Sequence, residues 1–178
     1  MRFAAVLLVA LLSPPAAQAA QPIDGLFKQL HDAGSPEDAK PLEDRILLLF
    51  MQSGSPSVDL LMTRAAAAEG ADDKDTARKL YDAVTGIAPN YAEGWHKHGV
   101  LQNAAGDDTG AMVSLQKTIA LNPRQFTALE QLGEMLEDYG DKPGALKMYR
   151  AAQALDPQLE GLQRHIDSLS RSVEGQGI

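Results

Sequence analysis

The sequence predicts an all-α chain built as an α-solenoid of stacked helical hairpins. Three observations carry that prediction. Prolines stand at Pro89, Pro123 and Pro157, 34 residues apart each time. Small residues recur at the same interval, as Ala65, Gly99 and Gly133 and again as Ala77, Ala111 and Ala145. Near-copies precede the prolines: IAP, IALNP and QALDP. Self-similarity at a fixed period of this length marks a repeat architecture.

Counting back from the prolines gives three units, 58–91, 92–125 and 126–159. Each holds two helical stretches split by a turn, at Asp72-Asp73, Gly106 and Gly140. Gly99 and Ala111 lack bulk, so the two helices of a unit can approach closely. Bulky residues fill the space beside that contact: Leu61, Trp95 and Leu129 on the first helix, Tyr81, Leu115 and Tyr149 on the second. Each proline lacks an N–H and disfavours helix in the residue before it, which turns the chain into the next unit. One hairpin cannot bury its apolar face alone, whereas stacked neighbours can.

The flanks complete the array. Residues 160–178 hold a capping helix with Leu162, Ile166, Leu169 and Val173 at helical spacing, then a loose tail. Residues 20–57 read as a degenerate helical hairpin, with helices over 23–33 and 41–52. One period back, the register puts Phe27, Leu30, Leu47 and Phe50 in the core, but His31 and Glu43 replace the small pair. The expectation is that this hairpin stacks on the first repeat. The LLLF stretch at 47–50 packs there or is buried against a second copy.

Residues 1–19 read as a signal peptide. Arg2 precedes an apolar run from Phe3 to Leu12, and Ala17-Gln18-Ala19 offers small residues for cleavage. That run is too short for a permanent membrane span. The expectation is an exported, periplasmic or secreted protein with Ala20 at its new terminus. No membrane insertion is expected after cleavage. The formal net charge is −8, which disfavours nucleic acid and anionic lipid as partners. The chain has no Cys, so disulfides, thiolate metal sites and Cys nucleophiles are excluded.

At Trp95, Gly99, Gly106, Ala111 and Pro123, and at Leu132, Gly133, Leu136, Ala145, Tyr149, Ala152 and Pro157, the chain resembles the tetratricopeptide repeat (TPR) family. The first unit is further from the pattern, with Arg64 and Ala68 where the family usually has Leu and Tyr. The resemblance implies a right-handed superhelix and a binding scaffold whose concave groove is lined by the first helix of each repeat. By register, candidate groove residues are Asp59 and Glu69; Glu93, His96, Lys97 and Asn103; Glu130, Glu134 and Glu137; and Arg164 of the cap. Chaperone-binding members hold a peptide carboxylate with a Lys, Asn and Arg clamp. Here Met62, Ala66, Thr127 and Gln131 occupy clamp positions and Lys97 replaces an Asn, so no chaperone-tail binding is expected.

His96 and His98 lie about 200° apart around a helix and cannot chelate one ion together. His98 falls at a packing position. His96 is either a ligand contact in the groove or simply solvated. The sequence shows no phosphate loop, His-Glu-x-x-His or Gly-x-Ser-x-Gly, so no enzyme and no cofactor is expected. Glu130, Glu134, Glu137 and Asp138 form one acidic helix stripe. It reads as a solvated face, as a recognition surface for a basic partner, or as a calcium site. The last is disfavoured because one straight helix cannot wrap carboxylates around an ion. The expected function is a non-enzymatic interaction scaffold of the bacterial envelope, taking a protein or peptide segment in the groove. The alternative is a structural subunit or homodimer that uses its convex or N-terminal apolar surface.

Overall fold

A computed structural model describes residues 23–175. The signal-peptide reading lies outside them. Among the described residues there are nine α-helices and no strand. They are α1 (Ile23–His31), α2 (Pro36–Phe50), α3 (Pro56–Gly70), α4 (Lys74–Ile87), α5 (Ala92–Ala104), α6 (Asp108–Leu121), α7 (Phe126–Asp138), α8 (Lys142–Leu155) and α9 (Leu162–Val173). The pairs α3–α4, α5–α6 and α7–α8 are antiparallel hairpins; α4 packs on α5, α6 on α7, and α9 closes the row on α8. This is the all-α solenoid that the 34-residue period implies.

The hairpin turns show why the period holds. Asp72, Gly106 and Gly140 occupy equivalent positions, with φ of 57°, 80° and 80°. The left-handed region suits Gly and is tolerated by Asp. Directly after them, Asp73, Asp107 and Asp141 cap the second helices by accepting from the amides of Thr76, Gly110 and Gly144. Inside the middle hairpin, a Cβ added at Gly99 would sit 3.2 Å from the Ala111 carbonyl oxygen and 3.1 Å from Ser114 Cβ. The close approach inferred from the small pair is therefore present.

The N-terminal hairpin departs from expectation. α2 starts at Pro36 rather than at Pro41, because Ser35 caps it and Pro36 suits the first turn, leaving Pro41 inside the helix. The larger correction is its location. α1 and α2 do not stack on the first repeat; α1 packs on α8. Leu26, Phe27, Leu30, Ala39 and Ile46 share one core with Phe126, Leu155 and Leu159. Leu47, Leu49 and Phe50 face this same core, with Phe50 6.3 Å from the Phe27 ring. Of the LLLF stretch only Leu48 is exposed. The hairpin lies along the edge where α5, α7 and α9 begin. Tyr91 donates to the Met51 carbonyl at 2.7 Å, Phe27 meets Phe126 edge-on, and Gln158 donates to the Ala33 carbonyl at 3.1 Å.

Candidate functional site

The groove residues read from register divide into three groups. Glu93 and His96 are each 4% exposed, so they cannot offer an open contact surface. His96 Nδ1 lies 3.2 Å from Glu93 Oε2, and His96 Nε2 lies 3.1 Å from Gln131 Oε1. Gln125, itself fully buried, donates to Glu93 at 2.6 Å, and Lys97 stands 3.7 Å from the other Glu93 oxygen. Stacking of α5 against the start of α7 assembles this network across two repeats. Of the two alternatives for His96, ligand contact or solvation, the structure shows neither: the ring is buried and bonded within the packing of α5 on α7. His98 is bonded within the packing, 2.8 Å from Asp82 and 3.3 Å from Ser114 Oγ.

A second group buttresses neighbouring elements. Asp59 accepts from the Ser53 amide and hydroxyl, which holds its carboxyl below the ordinary range. Glu69 accepts from Tyr81 at 2.7 Å, and Glu137 accepts from Tyr149 at 3.0 Å. These two pairs are equivalent across the repeats. In the middle repeat, Asn103 and Leu115 stand at those positions, and Asn103 is exposed.

The third group is open. Glu134 and Arg164 are exposed, Lys97 is half-buried, and Glu130 and Glu137 are partly covered. Glu137 also meets His165 Nδ1 at 3.0 Å. Loss of hydration pushes the Glu130 carboxyl up to about 7, and neighbouring Glu134 adds to the shift while His165 opposes it. Desolvation also raises Glu134, again opposed by His165. Three glutamates thus face one histidine across the α7–α9 surface. Among the described residues no group of three or more His, Asp or Glu is placed to hold a metal ion. No helix there is long and apolar enough to cross a membrane.

One part of the site was not read from the sequence. A recess of about 320 Å³ between α2 and α7 is lined by Lys40, Glu43, Glu130, Gln158, Leu159 and Glu160. Beside it Asp156 is fully buried; one oxygen accepts from the Gln158 amide and the other has no hydrogen-bond donor. Desolvation first, then the neighbouring Glu43 carboxyl, hold Asp156 well above the ordinary carboxylate range. The signal available in the sequence was Asp156 itself, which replaces the Asn found before the proline in the preceding repeat.

No protein-family model matches the chain. A TPR repeat-containing protein of Rhizobium etli is 26% identical over 155 residues, covering 87% of this chain and 76% of that one. The first TPR of Spaghetti, solved bound to an HSP90 peptide, superposes with a TM-score of 0.60 at 14% identity over 66% of this chain and 93% of its own. The Yersinia enterocolitica type III secretion chaperone SycD, solved with a peptide of the translocator YopD, gives 0.59 at 16% identity over 70% and 97%. Hairpins at a 34-residue period, their shared turn and cap chemistry, and these likenesses agree: the chain has the tetratricopeptide-repeat fold, an all-α solenoid of helical hairpins.

Proposed function

We propose that this chain is a non-catalytic interaction scaffold of the bacterial cell envelope. It holds a basic segment of a partner protein against the α7–α9 end of its groove. The observation that carries the reading is the stripe Glu130, Glu134 and Glu137, partly desolvated and opposed by His165. Like charges on one helix face are unfavourable, by about 0.2–0.5 kcal/mol per pair. Lys or Arg from a partner would relieve that repulsion and steer encounter. Similar folds solved with peptides support a segment as the ligand. The leader-like pattern at 1–19 supports export.

The test replaces Glu130, Glu134 and Glu137 together with Gln. Protein captured from an envelope extract by the wild-type chain should associate more slowly with the variant, with a flatter dependence on salt. Unchanged rate and salt slope would reduce the stripe to a solvated face. N-terminal sequencing of the cell-derived protein tests export: Ala20 is expected, and Met1 contradicts it. A second reading, assembly through apolar surface, draws on exposed Leu48, Met51 and Ile87. It gains weight if the triple variant keeps its partner.

A further inference from the structure

The chain turns alike at Pro123 and at Pro157, but the residue before each proline differs in charge. Asn122 closes its turn with both side-chain atoms: Oδ1 accepts from the Arg124 amide at 3.1 Å, and Nδ2 donates to Gln125 Oε1 at 3.0 Å. One period on, Asp156 repeats the first bond, accepting from the Gln158 amide at 3.1 Å. The second bond is lost. Leu159 stands where Gln125 stood, a carboxylate has no donor of its own, and the other Asp156 oxygen is left buried without a partner. Leaving a buried polar atom unpaired is costly, more so for a charged one. Asn122 Nδ2 points to the residue three positions on, and the same geometry turns the free Asp156 oxygen toward Leu159, which lines the recess between α2 and α7. Glu43, Glu130 and Glu160 line that recess too, against a single cation, Lys40. Lys40 is exposed and held 3.0 Å from Asp44 of its own helix, and the Gln158 side chain is turned to the Ala33 carbonyl. Thr127 Oγ1, a second buried atom without a partner, lies one turn before Glu130 on the same face of α7. Lost hydration first, then the charges of Glu134, Asp156 and Glu43, raise the Glu130 carboxyl, opposed by His165 of α9.

We propose that this recess is the seat of one lysine side chain from the partner's basic segment. The stem runs along Pro36 and Leu159, and the ammonium donates to the free Asp156 oxygen with Glu130 and Glu43 beside it. This rests on the basic-partner reading above and names the place where its cation anchors. The chemistry selects the cation. Among the described residues no group of three His, Asp or Glu is placed to hold a metal ion, so the charge arrives on a group that brings its own hydrogens. A guanidinium pairs best through two parallel bonds to one carboxylate, and the Gln158 amide already occupies one Asp156 oxygen. A compact ammonium needs only the other. A volume of about 320 Å³ admits one such side chain and lies at the small end of ligand sites.

The seat is tested on the full chain without a partner. The probe is Nα-acetyl-lysine methylamide, and its norleucine analogue, the same stem without the ammonium, is the control. Carboxyl carbon resonances are followed by NMR at about pH 8, above the value of about 7 at Glu130. The lysine probe should shift Asp156 and Glu130 saturably, and the norleucine probe should leave both unmoved. Asp156→Asn, the residue that the preceding repeat already carries, should stay folded and weaken binding by about tenfold or more, read at Glu130. No saturable shift, an equal shift with norleucine, affinity unchanged in Asp156→Asn, or the same response at exposed Asp75 overturns the seat. An arginine probe that binds as tightly overturns the choice of lysine. Putrescine that binds more tightly makes the recess a site for free diamines and overturns its assignment to a partner. Asp156→Asn leaves the Glu130, Glu134 and Glu137 stripe intact, so the two readings fail separately: capture lost in the triple Gln variant with a silent recess removes the seat and keeps the basic partner.

Discussion

Glu93 sits out of water because Gln125, His96 and Lys97 are arranged on it. A buried carboxylate stripped of one donor loses about 1–3 kcal/mol, often more when charged. Gln125→Leu should therefore lower the unfolding free energy by at least that amount in urea titration. A change within error would mean that Gln125 adds nothing to the network. Gly99→Leu belongs to the same scale. Its Cβ would press on the Ala111 carbonyl, and overpacking of this kind costs about 1–3 kcal/mol. Gly99 was legible because its role repeats with the period. The Glu93 network was not, because its residues come from two repeats and meet only after stacking. Register shows which face a residue takes, not which side chain arrives opposite it.

Helix turns carry a sharper contrast. Gly140 has φ of 80°, so Gly140→Ala should destabilise by about 1–2 kcal/mol. Gly86, inside α4, has nothing near the place a Cβ would take, so Gly86→Ala should stabilise by about 0.5–1 kcal/mol. Thermal melting of the two variants checks both signs, and equal shifts would contradict the assignment of αL to the turn. The three hairpins were readable because turn, cap and small pair recur together. α2 was misplaced at its start because Pro41 reads as a helix start, and the Ser35–Pro36 cap one turn and more earlier is the actual one. Proline marks a boundary only where no other residue has already set it.

At the scale of the whole molecule, the position of the N-terminal hairpin is the feature least legible in the sequence. Periodicity identified a fourth, imperfect hairpin, and solenoid logic stacked it on its neighbour. Instead Phe27, Arg124 and Phe126 draw it to the third repeat. His31 and Glu43 at the small-pair positions do not fit it for tight stacking, and Glu43 instead lines the recess between α2 and α7. Burial raises the carboxyls of Asp156 and Glu130, so stability depends on pH. The folded chain binds protons there that the unfolded chain releases. Their contribution is fully present near the ordinary carboxylate range, about pH 4, and is lost as pH rises to about 7. Replacing Glu130, Glu134 and Glu137 with Gln should leave the melting temperature at about pH 8 equal or higher, since repulsion is removed. A clear fall would show that the stripe stabilises the chain and is not held for a partner.

The central claim is that a partner engages the α7–α9 end of the groove. Site-specific photo-crosslinking in the native cell tests it most directly, with the crosslinker placed in turn at exposed Glu134 and at exposed Val113 of α6. The account predicts a discrete protein adduct from Glu134, diminished when Glu130 and Glu137 are Gln, and none from Val113. An adduct from Val113 with nothing at Glu134 would contradict it and place the partner on the opposite surface.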